Sequence, residues 1–274
     1  MDIQGKIVVV TGASRGIGAS TAKRFASLGA KVVLMARSEN DLLAVASEIR
    51  QASGIAFVYP VDLRDSNATR LVCEEVLVEV GIPEVIIHNA GAGRWLFVDE
   101  TPEGEEESMI ALPYLASFRV TRMFLPKMLV ARKGTILFVN SPVSLLPWSG
   151  AAGYAASRWA LRGFSEALRA DLAGTPIKVS EVILGETDST YFEANPGSRE
   201  RLPKISKLLP VLSPDDAARH VVKACLRGKK RHTAPFLLKI TRKLVEVFPS
   251  FMAKVVQSGD TPHPSTLKPR NQSS

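Results

Sequence analysis

The feature that most constrains this chain lies near its start. The apolar run at 6–10 leads directly into Thr11-Gly-Ala-Ser-Arg-Gly-Ile-Gly18, and a helical pattern follows at once. A strand that turns this sharply into a helix needs residues without a Cβ. Gly12 permits the tight turn, Gly16 lets the backbone approach a bound group closely, and Gly18 lets the helix pack against the strand. The first N–H groups of the helix have no partner within it, which makes its N-terminus a natural seat for phosphate. A glycine-rich turn by itself is weak evidence. Placed between a strand and a helix in a first β–α–β unit, it points to the pyrophosphate of a dinucleotide. Gly12, Ser14, Arg15, Gly16, Ile17 and Gly18 are the candidate residues around that group.

The rest of the chain repeats the alternation. Strand-length apolar runs fall at 6–10, 31–35, 56–61, 84–88, 135–139 and 178–183, with helical patterns at 16–28, 39–52, 66–80, 105–131 and 154–173. Strands that read as continuous apolar runs, spaced by helices, imply a parallel sheet buried on both faces. Right-handed crossovers then make it an α/β doubly wound sheet, a Rossmann fold, in a single domain over residues 1–257. After residue 183 the order weakens, and 185–210 reads as a long mobile loop with a short helix inside. Ser213-Pro-Asp-Asp216 starts a further helix, with Ser as cap and two acids at the positive end of the dipole, ending at Gly228. Residues 258–274, rich in Pro, Ser and Thr, are expected to lack fixed structure.

Composition narrows the function classes. Cys73 and Cys225 sit among apolar neighbours and read as buried thiols, and the scattered histidines give no metal-ligand spacing, so no metal is expected. The N-terminus opens on a strand with no signal peptide, and no apolar run reaches the roughly 20 residues of a membrane span. The expectation is a cytoplasmic protein, for which the sequons at Asn67 and Asn271 carry no meaning. Charge is uneven: residues 199–274 hold 16 Lys/Arg against 5 Asp/Glu, whereas residues 1–198 are net acidic by three. A basic surface facing something acidic is implied.

The turn has the Thr-Gly-x-x-x-Gly-x-Gly spacing of the short-chain dehydrogenase/reductases, and the chain resembles that family over roughly residues 5–190. Asn89-Ala90-Gly91, after the fourth strand, is similar to the family's second motif. Asp62 and Leu63, after the third, resemble its adenine-contacting pair. The end of the second strand selects the cofactor. An acid there would hold the ribose 2′-hydroxyl of NAD, but this chain has Ala36, then Arg37 and Ser38. With Arg15 as a second guanidinium, the set suits the 2′-phosphate of NADP(H).

The resemblance also implies a catalytic set. In the family a Tyr moves the substrate proton, a Ser orients the carbonyl, and a Lys four residues after the Tyr holds the ribose. Here Ser141 stands 13 positions before Tyr154, in the family's spacing, and Tyr154-Ala-Ala-Ser-Arg158 puts Arg158 where the Lys is expected. Positions 154 and 158 share a helix face, which brings the cation beside the phenol. Arginine keeps the charge but does not release a proton at working pH. A second departure puts Pro113 where the family's Asn kinks the helix. A proline also kinks, and it frees the carbonyl of Met109. A third replaces the family's Pro-Gly after strand six with Leu184-Gly185, leaving Gly185 and the backbone near Thr187 to hold the nicotinamide end. His88, where an Asn is frequent, reads as packing or hydrogen bonding rather than catalysis.

Pro142, Ser144, Leu146, Trp148, Trp95 and Phe192 are candidate pocket residues, under a loop from Thr187 to Leu209. Their apolar character points to a lipophilic carbonyl or alcohol. The segment 229–257 interleaves bulky apolar and basic residues. It fits peripheral contact with an anionic membrane, closure of the pocket, or a subunit contact. Nucleic acid is not expected, since no recognition motif is present. Family resemblance implies a homodimer or homotetramer through the helices at 105–131 and 154–173. Three functions stay open: an NADP(H)-dependent reductase, a cofactor-binding pseudoenzyme that acts as a sensor or through a partner, and a different reaction in the same pocket.

Overall fold

The computed structural model describes residues 1–91, 93–189 and 191–266. Among them are seven parallel strands: β1 (Ile7–Thr11), β2 (Lys31–Ala36), β3 (Ile55–Pro60), β4 (Val85–His88), β5 (Gly134–Asn140), β6 (Ile177–Leu184) and β7 (Arg231–Ala234). They lie in the order β3-β2-β1-β4-β5-β6-β7, so the progression of the chain across the sheet reverses between β1 and β4 while every strand stays parallel. Alternate residues of each strand feed opposite cores. Val8 and Val10 pack with Phe25, Leu42 and Val221 on one face, while Val9 packs with Ile86, Phe124 and Phe138 on the other. That two-sided burial is why the strands read as unbroken apolar runs.

The helices are α1 (Gly16–Ser27), α2 (Glu39–Gln51), α3 (Ser66–Glu79), α4 (Glu105–Ile110), α5 (Ala116–Val130), α6 (Ala152–Asp171), the single turn α7 (Tyr191–Ala194), α8 (Pro214–Arg227), α9 (Phe236–Val247) and α10 (Pro249–Gln257). Ser38 caps α2 and Ser213 caps α8, each side chain accepting a first-turn N–H. Gly228 ends α8 in the left-handed conformation. Cys73 and Cys225 are free and buried, and burial pushes both thiols up to about 12.

Four expectations are corrected. The single helix at 105–131 is interrupted by a π turn, Ala111–Leu115, centred on Pro113. There the Ala116 N–H reaches back to the Ala111 carbonyl. A proline has no N–H to give, and the wider turn absorbs the missing bond without ending the helix. β7 lies inside the segment read only as basic and amphipathic. Its four residues, Arg-His-Thr-Ala, carry no apolar run, and an ion pair from Arg231 to Glu181 on β6 joins it to the sheet. The apolar–basic stretch that follows is two helices, broken at Phe248-Pro249. The tail expected to lack structure is packed through residue 266. The Ser149 N–H donates to Asp260, Thr261 donates to the Glu200 carbonyl, and His263 pairs with Asp99. Polar anchoring of this kind leaves no periodic trace. Residues 267–274, including the sequon at Asn271, lie outside the described residues.

His88 is packing, as expected. It is buried at the end of β4, with Nε2 2.8 Å from the Thr121 hydroxyl and its ring stacked on Phe138 at 4.9 Å. Burial holds its pKa down to about 3. The unfolded chain takes up a proton below its ordinary value, whereas the folded chain refuses it. Stability is therefore full above that value and falls as pH drops toward the folded pKa. His88→Asn should flatten this slope. Urea unfolding at about pH 7.5 and pH 5 should show the wild type losing ~2 kcal/mol more than the variant. His232, held down to about 4 mainly by burial, acts with the same sign in both proteins.

Candidate active site

The site forms where β1 and β4 part. The Thr11 hydroxyl accepts the N–H groups of Asn89 and Ala90 at 3.0 and 3.1 Å and donates to the Ile87 carbonyl at 3.3 Å. The Asn89 amide donates to the carbonyls of Thr11 and Gly12, both at 3.2 Å. Together they hold the glycine turn open above the sheet. At Gly12 (φ +65°) a Cβ would fall 2.9 Å from the Ala90 Cα, and at Gly18 it would overlap the Gly12 carbonyl oxygen. The N-terminus of α1 has no side-chain cap, so its N–H groups are free to face a ligand.

One cavity of about 780 Å³ runs from this turn across the C-terminal ends of the strands. Gly12, Ser14, Arg15, Gly16 and Ile17 line its phosphate end. Arg37, Ser38 and Leu63 line one extremity, and Asn89, Ala90 and Gly91 the middle. Gly185 and Thr187 stand beyond them, beside Ser141, Tyr154 and Arg158. Gly18 does not line the cavity; it serves the packing of α1 on the turn. Asp62 stands beside the cavity rather than on it, its carboxylate held by Arg64 at 2.6 Å and lowered in pKa chiefly by that bond. Arg15 pairs with Asp41 at 3.1 Å, but both side chains are largely exposed, so an arriving dianion competes with a weak partner. A long, glycine-floored cleft with cations at one end fits a nicotinamide dinucleotide.

The catalytic end is held by a clip that sequence reasoning missed. Asn140 donates its amide to the buried Glu181 at 2.9 Å and to the Arg158 carbonyl at 3.2 Å, and accepts the Ser141 N–H at 2.9 Å. Glu181 in turn accepts from Arg231 at 3.0 Å. The end of β5, the second turn of α6 and strand β6 are thereby tied together, which orients Ser141 and Arg158. A carboxylate in the apolar run Val179-Ser-Glu-Val182 was the available signal.

Tyr154 is buried, its ring 5.5 Å from that of Trp95 and 6.1 Å from that of Tyr191. Arg158 is 8% exposed and lies over the Tyr154 ring, its guanidinium carbon 5.1 Å from the centroid. One guanidinium nitrogen donates to the Val139 carbonyl at 3.2 Å, and Nε has no partner. Gly91 makes room for this arginine, since a Cβ there would collide with its Nη2. Tyr191 is a second missed residue: its hydroxyl donates to the Gly93 carbonyl at 2.6 Å and accepts from Trp95 at 3.0 Å. Burial raises its pKa, so it stays a neutral wall of the site. Of the expected pocket residues, Pro142, Leu146, Trp148, Trp95 and Phe192 line the cavity. Ser144 does not: it is fully buried and donates to the Ser141 carbonyl at 2.7 Å.

The comparisons agree with this geometry. The family model for short chain dehydrogenases matches residues 6–200. This chain belongs to the short-chain dehydrogenase/reductase family. It is an oxidoreductase whose relatives include a fatty acyl-CoA reductase of Acinetobacter baylyi, 31% identical over 84% of this chain and 76% of that protein. The 3-oxoacyl-(acyl-carrier-protein) reductase of Escherichia coli is 34% identical over 69% of this chain and 78% of its own. A metagenomic short-chain oxidoreductase solved with NADP superposes with a TM-score of 0.71 at 31% identity, over 85% of this chain and 97% of that one.

The contact between Gly91 and Arg158 yields a double-variant prediction. Gly91→Ala should destabilise the protein by about 1–3 kcal/mol through overpacking, and by clearly less when Arg158→Lys removes the guanidinium. Urea unfolding of the two single variants and the double variant checks it; strict additivity would show that the two side chains do not share this space.

Proposed function

We propose that this family member is an NADP(H)-dependent reductase of a lipophilic ketone or aldehyde, able to run in the reverse direction on the alcohol. The observation that carries the reading is that Ser141, Tyr154 and Arg158 open on the same cavity as the glycine turn, and that the remaining wall of that cavity is largely apolar. Leu145, Leu146, Trp148, Phe192, Leu209 and Leu238 all belong to that wall. A hydrophobic body held there leaves its carbonyl as the one polar group needing partners. The fatty acyl-CoA reductase among the relatives, and the NADP in the related metagenomic structure, are consistent with this substrate and cofactor.

The bound nicotinamide supplies the hydride. Ser141 donates a hydrogen bond to the carbonyl oxygen and Tyr154 delivers the proton to it. As that proton leaves, negative charge grows on the phenol, and the Arg158 guanidinium over the ring offsets it. The nitrogens of Arg158 not engaged by Val139 can hold ribose hydroxyls. Trp95, Trp148 and Tyr191 exclude water, which strengthens each of these interactions. Arg37 and Arg15 would hold the 2′-phosphate, while Gly185 and the backbone near Thr187 would hold the carboxamide. The same reading places the protein in the cytoplasm, with 229–257 against a membrane surface. It also pairs copies through α5 and α6, where Phe118 and Trp159 are exposed.

Stopped-flow and fluorescence titration with NADPH test the assignment. Tyr154→Phe should lower turnover by about 10³-fold with NADPH binding little changed. Arg37→Glu should weaken NADPH by about tenfold or more and leave NADH nearly unaffected. Arg158→Lys should retain or raise turnover; a silent wild type beside an active Arg158→Lys would identify a cofactor-binding protein that has lost its chemistry.

A further inference from the structure

The last two helices show more apolar surface than a water-facing element needs. Phe236, Ile240, Leu244, Val247, Phe248 and Phe251 are all exposed, Phe236 by 73% and Phe251 by 65%. Their spacing of three or four residues makes one stripe along α9 that continues past the break into α10. Isolated exposed hydrophobics are ordinary, but a contiguous stripe marks a partner.

Charge decides which partner. Residues 229–257 carry seven Lys or Arg against Glu246 alone. Lys239, Lys243 and Lys254 are exposed beside the stripe. A second copy meeting this face across a two-fold axis would set two strongly basic segments against each other. An anionic surface would attract the same segment, and each lysine near such a surface strengthens binding about fivefold.

The opposite side of α9 belongs to the active site. Leu237, Leu238, Thr241 and Val245 line the cavity that holds Tyr154. Leu208 and Leu237 line it too, yet they are 72% and 41% exposed, so they stand at its mouth. Leu237 adjoins Phe236, and the turn carrying Leu208 packs on α10. The mouth therefore opens beside the apolar stripe.

We propose that the α9–α10 face docks on an anionic lipid bilayer, with the stripe in the boundary between headgroups and acyl chains. A lipophilic substrate then passes from the bilayer to Tyr154 between Leu208 and Leu237. The docking stands on the stripe and its charge; the passage rests on the reductase reading and deepens it.

Co-sedimentation of the full chain with phosphatidylcholine vesicles, with and without phosphatidylserine as a minor component, tests the proposal. The wild type should bind the anionic vesicles. Binding should fall about tenfold or more in Lys239→Glu/Lys254→Glu and be lost in Phe248→Ser/Phe251→Ser. Both variants should keep the wild-type thermal midpoint and turnover of a water-soluble ketone. A wild type that stays in solution with anionic vesicles overturns the docking, even if it reduces carbonyls. A phenylalanine variant that binds like the wild type overturns it as well. Sedimentation velocity showing a dimer that the phenylalanine variant splits, with no vesicle binding, assigns the face to a second copy instead. Vesicle binding by a protein that reduces nothing supports the docking and removes the passage.

Discussion

The site depends on a gap in the hydrogen-bond ladder between β1 and β4. Their helices leave for opposite faces of the sheet, so the chains diverge and no strand pairing continues above Val10 and Ile87. The Thr11 hydroxyl bridges that gap, using one donor and its acceptor capacity on three backbone groups. Because those groups are satisfied, the glycine turn stands open without leaving buried amides unpaired. The α1 N-terminus then faces the cavity rather than protein. The cavity, the placement of Asn89 to Gly91 and the seat of Arg158 against Gly91 all follow from this divergence.

A second constraint fixes the catalytic end. Glu181 is fully buried, and taking a carboxylate out of water is tolerable only with strong partners. Asn140 and Arg231 provide them, and in doing so they join β5, β6, β7 and the second turn of α6. Ser141 and Arg158 inherit their positions from that network. The exchange of a lysine for an arginine is compatible with it because Gly91 has no side chain where the guanidinium needs to lie. The cation ends over the phenol ring rather than in line with its oxygen. That placement suits the electrostatic and positional role proposed for it, since a guanidinium is a poor proton carrier.

The C-terminal helices join the site to the protein surface. α9 is only one helix thick between a cavity wall and an exposed stripe, so its two apolar faces are set by the same twelve residues. Its apolar arc is wide enough to serve both, and Lys239, Arg242, Lys243 and Glu246 fill the remaining sector. The packed tail at 258–266, anchored by Asp260 on Ser149, closes the far side near Trp148.

The sequence alone determined the fold class, six of the strands, most of the helices and the glycine turn, because each rests on local pattern or on residue identity at fixed spacing. Ser141, Tyr154 and Arg158 were singled out through the family resemblance, and the structure brings the three onto one cavity. Tertiary structure decided what depends on partners distant in the chain. It alone made β7 a strand, since Arg231 is held there by Glu181, fifty residues earlier. It moved Ser144 into the core, occupied Asp62 with Arg64, brought Tyr191 and Trp95 onto Tyr154, and turned α9 into a wall of the active site. Periodicity records which side of an element is apolar. Which of two apolar sides meets the protein is settled only when the whole chain is packed.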